Sequence, residues 1–265
     1  MIQNNLVSTY SELLYLVGIF VFILGTALGS FINVLVDRVI KGETMGGRSH
    51  CDHCKKTLRW FELIPILSFF LIRGKCTRCH TKLSFEHPLI EIITGLLFVG
   101  TWLCVPMSSL ILYWGIVSCA WVIFLSDVRY QLISDYMQAA FFLGIFLLKI
   151  IERATFFSLA ADVFAGVMVA LPIGLIFVVS NERAMGLGDV ILAAIIGFAL
   201  GIVRGLLGVY IAFLLGAVVG MILLIGKKKG MKSAVPFGPF LLIGMAVAAL
   251  YGERLIAIAR ALGRW

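Results

Sequence analysis

Long apolar stretches alternate with short polar ones along most of the chain, and this pattern predicts an all-α membrane protein. A helix that crosses a bilayer needs about 20 mostly apolar residues. We predict about eight transmembrane helices, the sixth of them short. Their approximate bounds are 13–36, 88–105, 109–128, 133–151, 157–180, 189–204, 206–226 and 235–256.

Composition agrees with this pattern. Hydrophobic residues make up 61% of the chain and charged residues only 14%, whereas a soluble domain has about 25% charged residues. Residues 1–12 contain no Lys or Arg, and the first apolar stretch is too long for a signal-peptide core, so we expect a retained first helix. We divide the chain into a first transmembrane helix (1–40), a polar loop (41–87) and a membrane-embedded core (88–265).

The distribution of basic residues predicts the orientation in the membrane, because cytoplasmic loops are enriched in Lys and Arg. If residues 41–87 face the cytoplasm, eight alternating spans leave sixteen of the 22 Lys and Arg on that side. Both termini are then outside. We assign the net charge of +8 to this membrane asymmetry and expect no binding of nucleic acid.

Two cysteine pairs in the loop, "CDHC" and "CTRC", predict a metal site. The residues are Cys51, Cys54, Cys76 and Cys79. A C-x2-C-x21-C-x2-C arrangement suits one tetrahedral, structural Zn²⁺. Disulfides and metal-free thiols are the alternatives, although stable disulfides are rare in the cytosol. Four thiolates complete the zinc shell, so we expect the histidines in and beside the loop to be solvated or to lie beyond the ligands.

The apolar stretch between the cysteine pairs raises a question of topology. About 13 residues separate Arg59 from Arg73, which is short for a span. If this stretch crossed the bilayer, the two pairs would lie on opposite sides and could not share a metal. We therefore predict that residues 60–72 lie in the membrane interface.

Two aspartates lie at the predicted cytoplasmic ends of spans. Asp127 closes the third span, and Asp189 of "AMGLGDV" begins the sixth. Carboxylates are rare at membrane depth and are candidate functional residues there. Asp135 and Glu91 begin spans on the same side, whereas Asp162 lies toward the outer side.

A pair of carboxylates at one depth predicts aspartic-protease chemistry. Two like charges in a low dielectric share a proton, so one acid can activate water while the other protonates a carbonyl oxygen. Gly186 and Gly188 would let an extended substrate approach the backbone closely. The alternative is that Asp189 is only a helix N-cap beside an ordinary Gly-x-Gly. These residues alone leave both interpretations open.

Several motifs, taken in order, resemble those of the bacterial type IV prepilin peptidases, a family of GxGD intramembrane aspartic proteases. They cover most of the chain. The motifs are "GSFINVLVDR" (29–38), the cysteine pairs with "ELIPILSFFLIRGKC" between them, "PLIE" (88–91), "SDVRYQLISD" (126–135), "GLGD" (186–189) and "VPFGPFL" (235–241).

The resemblance implies that Asp127 and Asp189 are the catalytic pair and that Asp135 is a second family acid outside catalysis. Such enzymes cleave the basic leader from type IV prepilins or pseudopilins at the cytoplasmic face of the bacterial inner membrane. Members with the cysteine loop commonly also methylate the new N-terminus with S-adenosylmethionine. Two departures occur: "ISD" (133–135) replaces the usual "IPD", and "EHP" (86–88) replaces "RYP".

Two other functions fit parts of the sequence. A proton-coupled transporter could use the same two aspartates as a relay, although both lie at one face and not at the midplane. A zinc-dependent membrane hydrolase would need an open metal position, which four thiolates do not leave.

Overall fold

The computed structural model describes residues 2–42, 46–51, 53–152, 154–183, 185–226 and 235–262. Helices dominate this part of the chain. Eight α-helices follow one another, and no β-strand occurs beyond two isolated bridges in the described residues. Their bounds are α1 Ile2–Lys41, α2 Leu67–Leu71, α3 Glu86–Cys104, α4 Leu110–Tyr130, α5 Asp135–Ile151, α6 Phe156–Val179, α7 Leu187–Ile225 and α8 Gly238–Leu262.

Six helices in the described residues are long and apolar enough to cross a membrane: α1 (over Glu12–Ile40), α3, α4, α6, α7 and α8. The chain is therefore an all-helical, multi-pass membrane protein. The count differs from the predicted eight for two reasons. The fourth predicted span is α5, which has only 17 residues, and the sixth and seventh predicted spans are both contained in α7.

The helix α7 contains a sharp turn at Gly201. This residue has φ 77° and ψ 175°, a conformation that favours glycine. A Cβ built on Gly205 would lie 3.2 Å from the Cα of Gly197, whereas eight residues of straight helix span about 12 Å. The chain therefore folds back at Gly201, close to the break that the sequence predicted between residues 204 and 206.

The chain forms two compact units, residues 1–121 and 122–265. In the first unit, α1 packs against α3 through small residues. A Cβ on Gly25 would lie 2.8 Å from the Cα of Gly95, and one on Gly29 would lie 2.9 Å from the Cα of Glu91. Small residues let two membrane helices approach closely and gain van der Waals contact.

The second unit is built on α6, α7 and α8. Its helices also approach through small residues, because a Cβ on Gly166 of α6 would lie 2.8 Å from the carbonyl oxygen of Ala194 of α7. Val169 and Ile173 of α6 and Ile196 of α7 are fully buried around this contact. This unit contains both aspartates singled out in the sequence.

The segment between the cysteine pairs does not form a span. It consists of a short 3₁₀ helix, Trp60–Leu63, followed by the five-residue helix α2. The cysteine pairs that flank it converge on one point, and the position of residues 60–72 in the membrane interface stays a prediction. Trp60, Leu67 and Phe70 expose most of their side chains. The basic residues of the segment 227–232, together with Arg153 and Arg264, belong to the orientation argument but lie outside the described residues.

Candidate active site

Asp127 lies in the last turn of α4 and is buried. Its Oδ2 accepts a hydrogen bond of 2.9 Å from the backbone N–H of Gly238, the first residue of α8. The first N–H groups of a helix have no partner within the helix, and a carboxylate is stabilised at this positive end of the helix dipole. The start of α8 therefore holds the Asp127 carboxylate in place.

Asp189 is the third residue of α7 and is half-buried. Its Oδ2 accepts a hydrogen bond of 3.3 Å from the backbone N–H of Gly186, which precedes the helix in an extended conformation. An acid at the third helical position that reaches back to the N-cap N–H is a common device for fixing a helix start. Asp189 thus has the capping geometry considered in the sequence analysis. The cap uses only one of the two oxygens of its carboxylate.

Ile133 contacts a glycine beside each of the two aspartates. A Cβ on Gly188 would lie 3.2 Å from Cβ of Ile133, and a Cβ on Gly238 would lie 3.2 Å from its Cδ1. One of these glycines precedes Asp189, and the other is hydrogen-bonded to Asp127. The two carboxylates are close enough for their charges to repel one another. The structure therefore brings Asp127 and Asp189 together, and we call them the aspartate pair.

Gln138 is a residue of this site that the sequence analysis missed. It lies on α5, is almost fully buried, and donates a hydrogen bond of 2.6 Å from Nε2 to the carbonyl oxygen of Gly188. It therefore fixes the backbone next to Asp189. A polar amide one turn into a mostly apolar helix was the available signal, because buried polar side chains in membrane helices need a partner.

The other two acids considered in the sequence lie elsewhere. Asp135 is the first residue of α5 and has an exposed side chain. Glu91 is buried in the first unit, where its Oε2 accepts a hydrogen bond of 2.7 Å from the backbone N–H of Ile66. That bond ties the segment before α2 to α3, which gives Glu91 a structural role.

The four loop cysteines form a cluster that could hold a metal ion. All four sulfurs lie within 4.8 Å of one another, and Cys51–Cys79 and Cys54–Cys76 are each 3.9 Å apart. Zinc–sulfur bonds of about 2.3 Å in a tetrahedron put sulfurs about 3.8 Å apart. The donor set and its spacing therefore fit a tetrahedral ion. The four histidines are exposed and lie outside this cluster.

The two cysteine pairs sit on matching backbone turns. The N–H of Cys51 donates to the carbonyl of Lys56 at 2.9 Å, and the N–H of Cys76 donates to that of Thr81 at 3.0 Å. The residue after each second cysteine, Lys55 or His80, has a positive φ of 55° or 54°. Each turn thus presents its two sulfurs in the same way.

The thiols of the cluster differ in acidity. Hydrogen bonds from the hydroxyl and backbone N–H of Thr81 lower the pKa of Cys79 to about 6. The backbone N–H of Lys56 lowers the pKa of Cys54, but burial and the three neighbouring thiols outweigh it and raise that pKa to about 11. A metal ion binds thiolates, so loading the cluster would release protons.

Glu62 lies in the segment between the two cysteine pairs and forms hydrogen bonds that help to hold the cluster in place. Its carboxylate accepts hydrogen bonds from the backbone N–H of Arg59 at 2.7 Å and from the Thr77 hydroxyl at 2.5 Å. Lys56 donates to the same hydroxyl at 2.8 Å. Burial raises the pKa of Glu62, but these hydrogen bonds and the charges of Lys56 and Arg59 outweigh it, so the pKa is lowered overall.

The fold and the site define a polytopic membrane protein with paired carboxylates at helix ends and a four-thiol loop. Family comparison gives the particular class. Residues 23–105 match the bacterial peptidase A24 N-terminal domain, and residues 114–221 match the type IV leader peptidase family. No solved structure matches the chain significantly.

Individual relatives align over nearly the whole chain. A protein of Bacillus subtilis (strain 168) named prepilin leader peptidase/N-methyltransferase is 31% identical, over 91% of this chain and 98% of its own length. One of the same name from Legionella pneumophila is 28% identical over 96% of each. An Escherichia coli O78:H11 protein, named type 4 prepilin-like proteins leader peptide-processing enzyme, is 30% identical over 87% of this chain and 92% of its own length. The chain belongs to the type IV prepilin leader peptidase family and is a membrane peptidase of that family.

Proposed function

We propose that this peptidase removes the basic leader from type IV prepilins or pseudopilins, with Asp127 and Asp189 as its catalytic residues. The closeness of the two carboxylates, whose neighbours Gly188 and Gly238 both contact Ile133, supports this most directly. Two carboxylates that share a proton can supply a base and an acid at one site. The names of the relatives supply the substrate class.

The chemistry requires only the chain and a water molecule. The ionised aspartate takes a proton from water as the water adds to the scissile carbonyl carbon, and the protonated aspartate donates its proton to the carbonyl oxygen. The tetrahedral intermediate then collapses: the leaving amine takes a proton from one carboxyl, and a hydroxyl of the intermediate returns a proton to the other carboxylate. No covalent intermediate with the enzyme forms. The scissile bond must first leave its helix, because a helical carbonyl is already hydrogen-bonded and shielded.

Gly186 and Gly188 are proposed to bind the unwound substrate. Gly186 lies in an extended conformation with its side exposed, so a substrate strand can approach its backbone. Gly188 is held by Gln138, which keeps this edge rigid while the substrate docks. A pre-positioned backbone reduces the cost of ordering the substrate.

We propose eight crossings of the bacterial inner membrane. A straight α7 would be about 58 Å long, nearly twice the hydrocarbon core of about 30 Å, so the turn at Gly201 would divide it into two crossings. The 17 residues of α5 make a short crossing of about 25 Å. By the excess of Lys and Arg on the side of the loop, we infer that the loop and the aspartate pair face the cytoplasm and that both termini are outside.

Labelling tests this topology. In a protein stripped of other reactive cysteines, single cysteines beside Pro65 should react with a membrane-impermeant thiol reagent from the cytoplasmic side only. Reaction from the outside would contradict the orientation and the interfacial position of residues 60–72. We propose that residues 1–40 form the first span, residues 41–87 the loop and residues 88–265 the peptidase core.

We propose that the metal of the loop is zinc and that its role is structural. Thiolates select zinc among the common divalent ions, and four of them leave no open position for substrate or water. The two turns, 22 residues apart between Cys54 and Cys76, would be held together by the ion. Metal analysis of the purified protein tests its identity.

Methylation of the new N-terminus is the second proposed activity. It rests on the names of the relatives, and S-adenosylmethionine would supply the methyl group. A cavity of about 430 Å³ in the first unit, lined by both polar and apolar residues, is the candidate site for such a molecule. Its polar lining includes Asn33, Asp37, Arg38 and Glu91. Equilibrium dialysis with labelled S-adenosylmethionine should show binding by the wild type and weaker binding by Asp37→Asn.

One reconstituted assay separates the candidate functions. The protein is placed in liposomes with a prepilin, with and without prior removal of zinc by a chelator. A leader peptidase with structural zinc releases the leader, and residual folded, zinc-free protein still does so. A zinc hydrolase would lose all cleavage with the metal. A transporter using the aspartate pair would move protons and release no leader, which would overturn the proposal.

A further inference from the structure

An apolar groove of about 430 Å³ lies between α5, α6 and α7, entirely within the second unit. Its lining repeats at helical spacing on two of these helices, at 135, 138, 139 and 142 on α5 and at 191, 194, 195 and 198 on α7. Seven residues of helix correspond to about 10 Å. The groove therefore follows the helices for about two turns, and it begins two residues after Asp189.

The polar groups of the groove lie at the end nearest the aspartate pair. Asp135 and Gln138 are its polar lining residues, whereas Phe142, Val163 and Val167 continue it as an apolar surface. Phe198 bounds the far end, with the Lys149 Nζ 5.5 Å from its ring centre. Lys149 is in turn paired with Asp162 at 2.8 Å. The apolar part of the groove is thus short, and a charged pair lies beside Phe198 at its far end.

Gln138 lines this groove and has an acceptor without a hydrogen-bond partner among the described residues. Its Nε2 donates to the carbonyl oxygen of Gly188, and this bond fixes which way the amide faces. Its Oε1 is buried and accepts no hydrogen bond from any described residue. Buried polar atoms normally have a partner, and an unsatisfied one calls for an explanation.

We propose that the groove binds the apolar substrate segment that follows the cleaved bond, and that Oε1 of Gln138 accepts a hydrogen bond from a backbone N–H of that segment. This rests on the proposed function. An unwound segment at membrane depth has free N–H groups that water cannot reach, and each needs a protein partner. A lipid chain would fill an apolar groove equally well, but it carries no donor for Oε1. Gln138 is thereby a positioning residue that aligns the substrate with Gly188 and the aspartate pair.

Two adjacent alanines of α5 give a matched test of the groove. Ala139 lines it, whereas Ala140 does not, and both are exposed. Ala139→Phe fills the groove and should raise KM for prepilin about tenfold, with kcat changed less than about twofold, since it removes binding shared by ground state and transition state. Ala140→Phe should change neither. Equal KM values for the two variants would overturn the proposal and leave a lipid as the occupant.

A second experiment tests the hydrogen bond itself. Prepilin substrates are made with a backbone ester in place of the amide at each of the second, third and fourth residues after the cleaved bond, which removes one N–H at a time. One ester should lower kcat/KM of the wild type about tenfold and have little effect on Gln138→Met, because the two changes remove the same bond. No loss at any position, or the same loss in both enzymes, would overturn the role of Gln138.

Failure of these two experiments can be told apart from failure of the proposed function. Both experiments use enzyme that already cleaves prepilin, whereas the role of the catalytic pair is tested separately by Asp127→Asn. Should Gln138→Met fail to fold, the ester series on the wild type and the Ala139–Ala140 comparison still decide. A wild type that cleaves prepilin normally but shows neither effect refutes the groove alone.

Discussion

The backbone N–H of Gly238 donates a hydrogen bond of 2.9 Å to Oδ2 of Asp127, and a Cβ added to Gly238 would lie 2.9 Å from that same oxygen. The start of α8 is therefore in direct contact with a proposed catalytic carboxylate. Only glycine allows the helix to approach this closely. The carboxylate depends for its position on a residue 111 positions away in the chain.

Gly238→Ala should lower kcat without unfolding the protein. The new methyl group displaces the Asp127 carboxylate or the start of α8, and a shift of about 1 Å at a reacting group can cost up to about a hundredfold in rate. Gly220→Ala is the control, since a Cβ there meets nothing within 4 Å. Cleavage assays on both proteins decide. Equal rates would mean that Asp127 does not need this contact.

Asp127→Asn and Asp189→Asn should each reduce cleavage about a thousandfold or more, because an amide can serve neither as base nor as proton donor of this kind. Both variants should remain folded, since an amide oxygen can still accept the bonds from Gly238 and Gly186. The double variant should be no worse than either single one, because the pair acts as a unit. The rate of cleavage by the wild type should rise and then fall as the pH increases, which would agree with one protonated and one ionised carboxyl in the active enzyme.

Two controls accompany that prediction. Asp135→Asn and Glu91→Gln should retain some cleavage activity, because neither acid belongs to the aspartate pair: Asp135 is exposed at the start of α5, and Glu91 is bonded to Ile66. If Asp127→Asn cleaved prepilin at nearly the wild-type rate, the assignment would be wrong and Asp135 would be the first alternative.

Replacing Cys51 and Cys76 together with Ser should abolish metal binding and leave at least partial cleavage. One ligand is lost from each turn, and a single pair of thiolates does not hold a structural zinc tightly. Atomic absorption measures the metal, and a prepilin assay measures cleavage. Loss of methylation alone would also agree with this prediction. Complete loss of cleavage in protein that remains folded would show that the loop takes part in the peptidase reaction.

Glu62→Gln should loosen the loop by about 1–2 kcal/mol at neutral pH, because the charged acceptor of two hydrogen bonds becomes a neutral one. The pKa of Glu62 is lowered from 4.5, so its carboxylate contributes stability at pH values above 4.5. That contribution is lost as the pH falls through the lower pKa of the folded state. Hydrogen exchange of residues 59–62 should therefore differ between wild type and variant at pH 7 and converge in acid.

The matched control for this experiment is Glu152→Gln at the exposed end of α5, which should change exchange in the loop at no pH. A difference between wild type and Glu62→Gln that grew on acidification would have the wrong sign. It would show that Glu62 does not stabilise the loop through its charge.

The sequence by itself determined the membrane character, most helix positions and the four-thiol cluster. Hydropathy and helix length are local properties, and a C-x2-C turn closes within a few residues, so each can be read from a short window. The aspartate pair could be predicted from the sequence because a carboxylate at the end of an apolar stretch is rare. Motif order then supplied the family, which the comparisons confirmed.

The tertiary structure decided what depends on distant residues. The turn inside α7 rests on the φ of one glycine among 39 helical residues. Gln138 reaches Gly188 across 50 residues, and Gly238 reaches Asp127 across 111. Such contacts leave no periodic signal in the sequence, because each joins a single atom of one helix to a single atom of another, and only the packed helices bring those atoms within hydrogen-bonding distance.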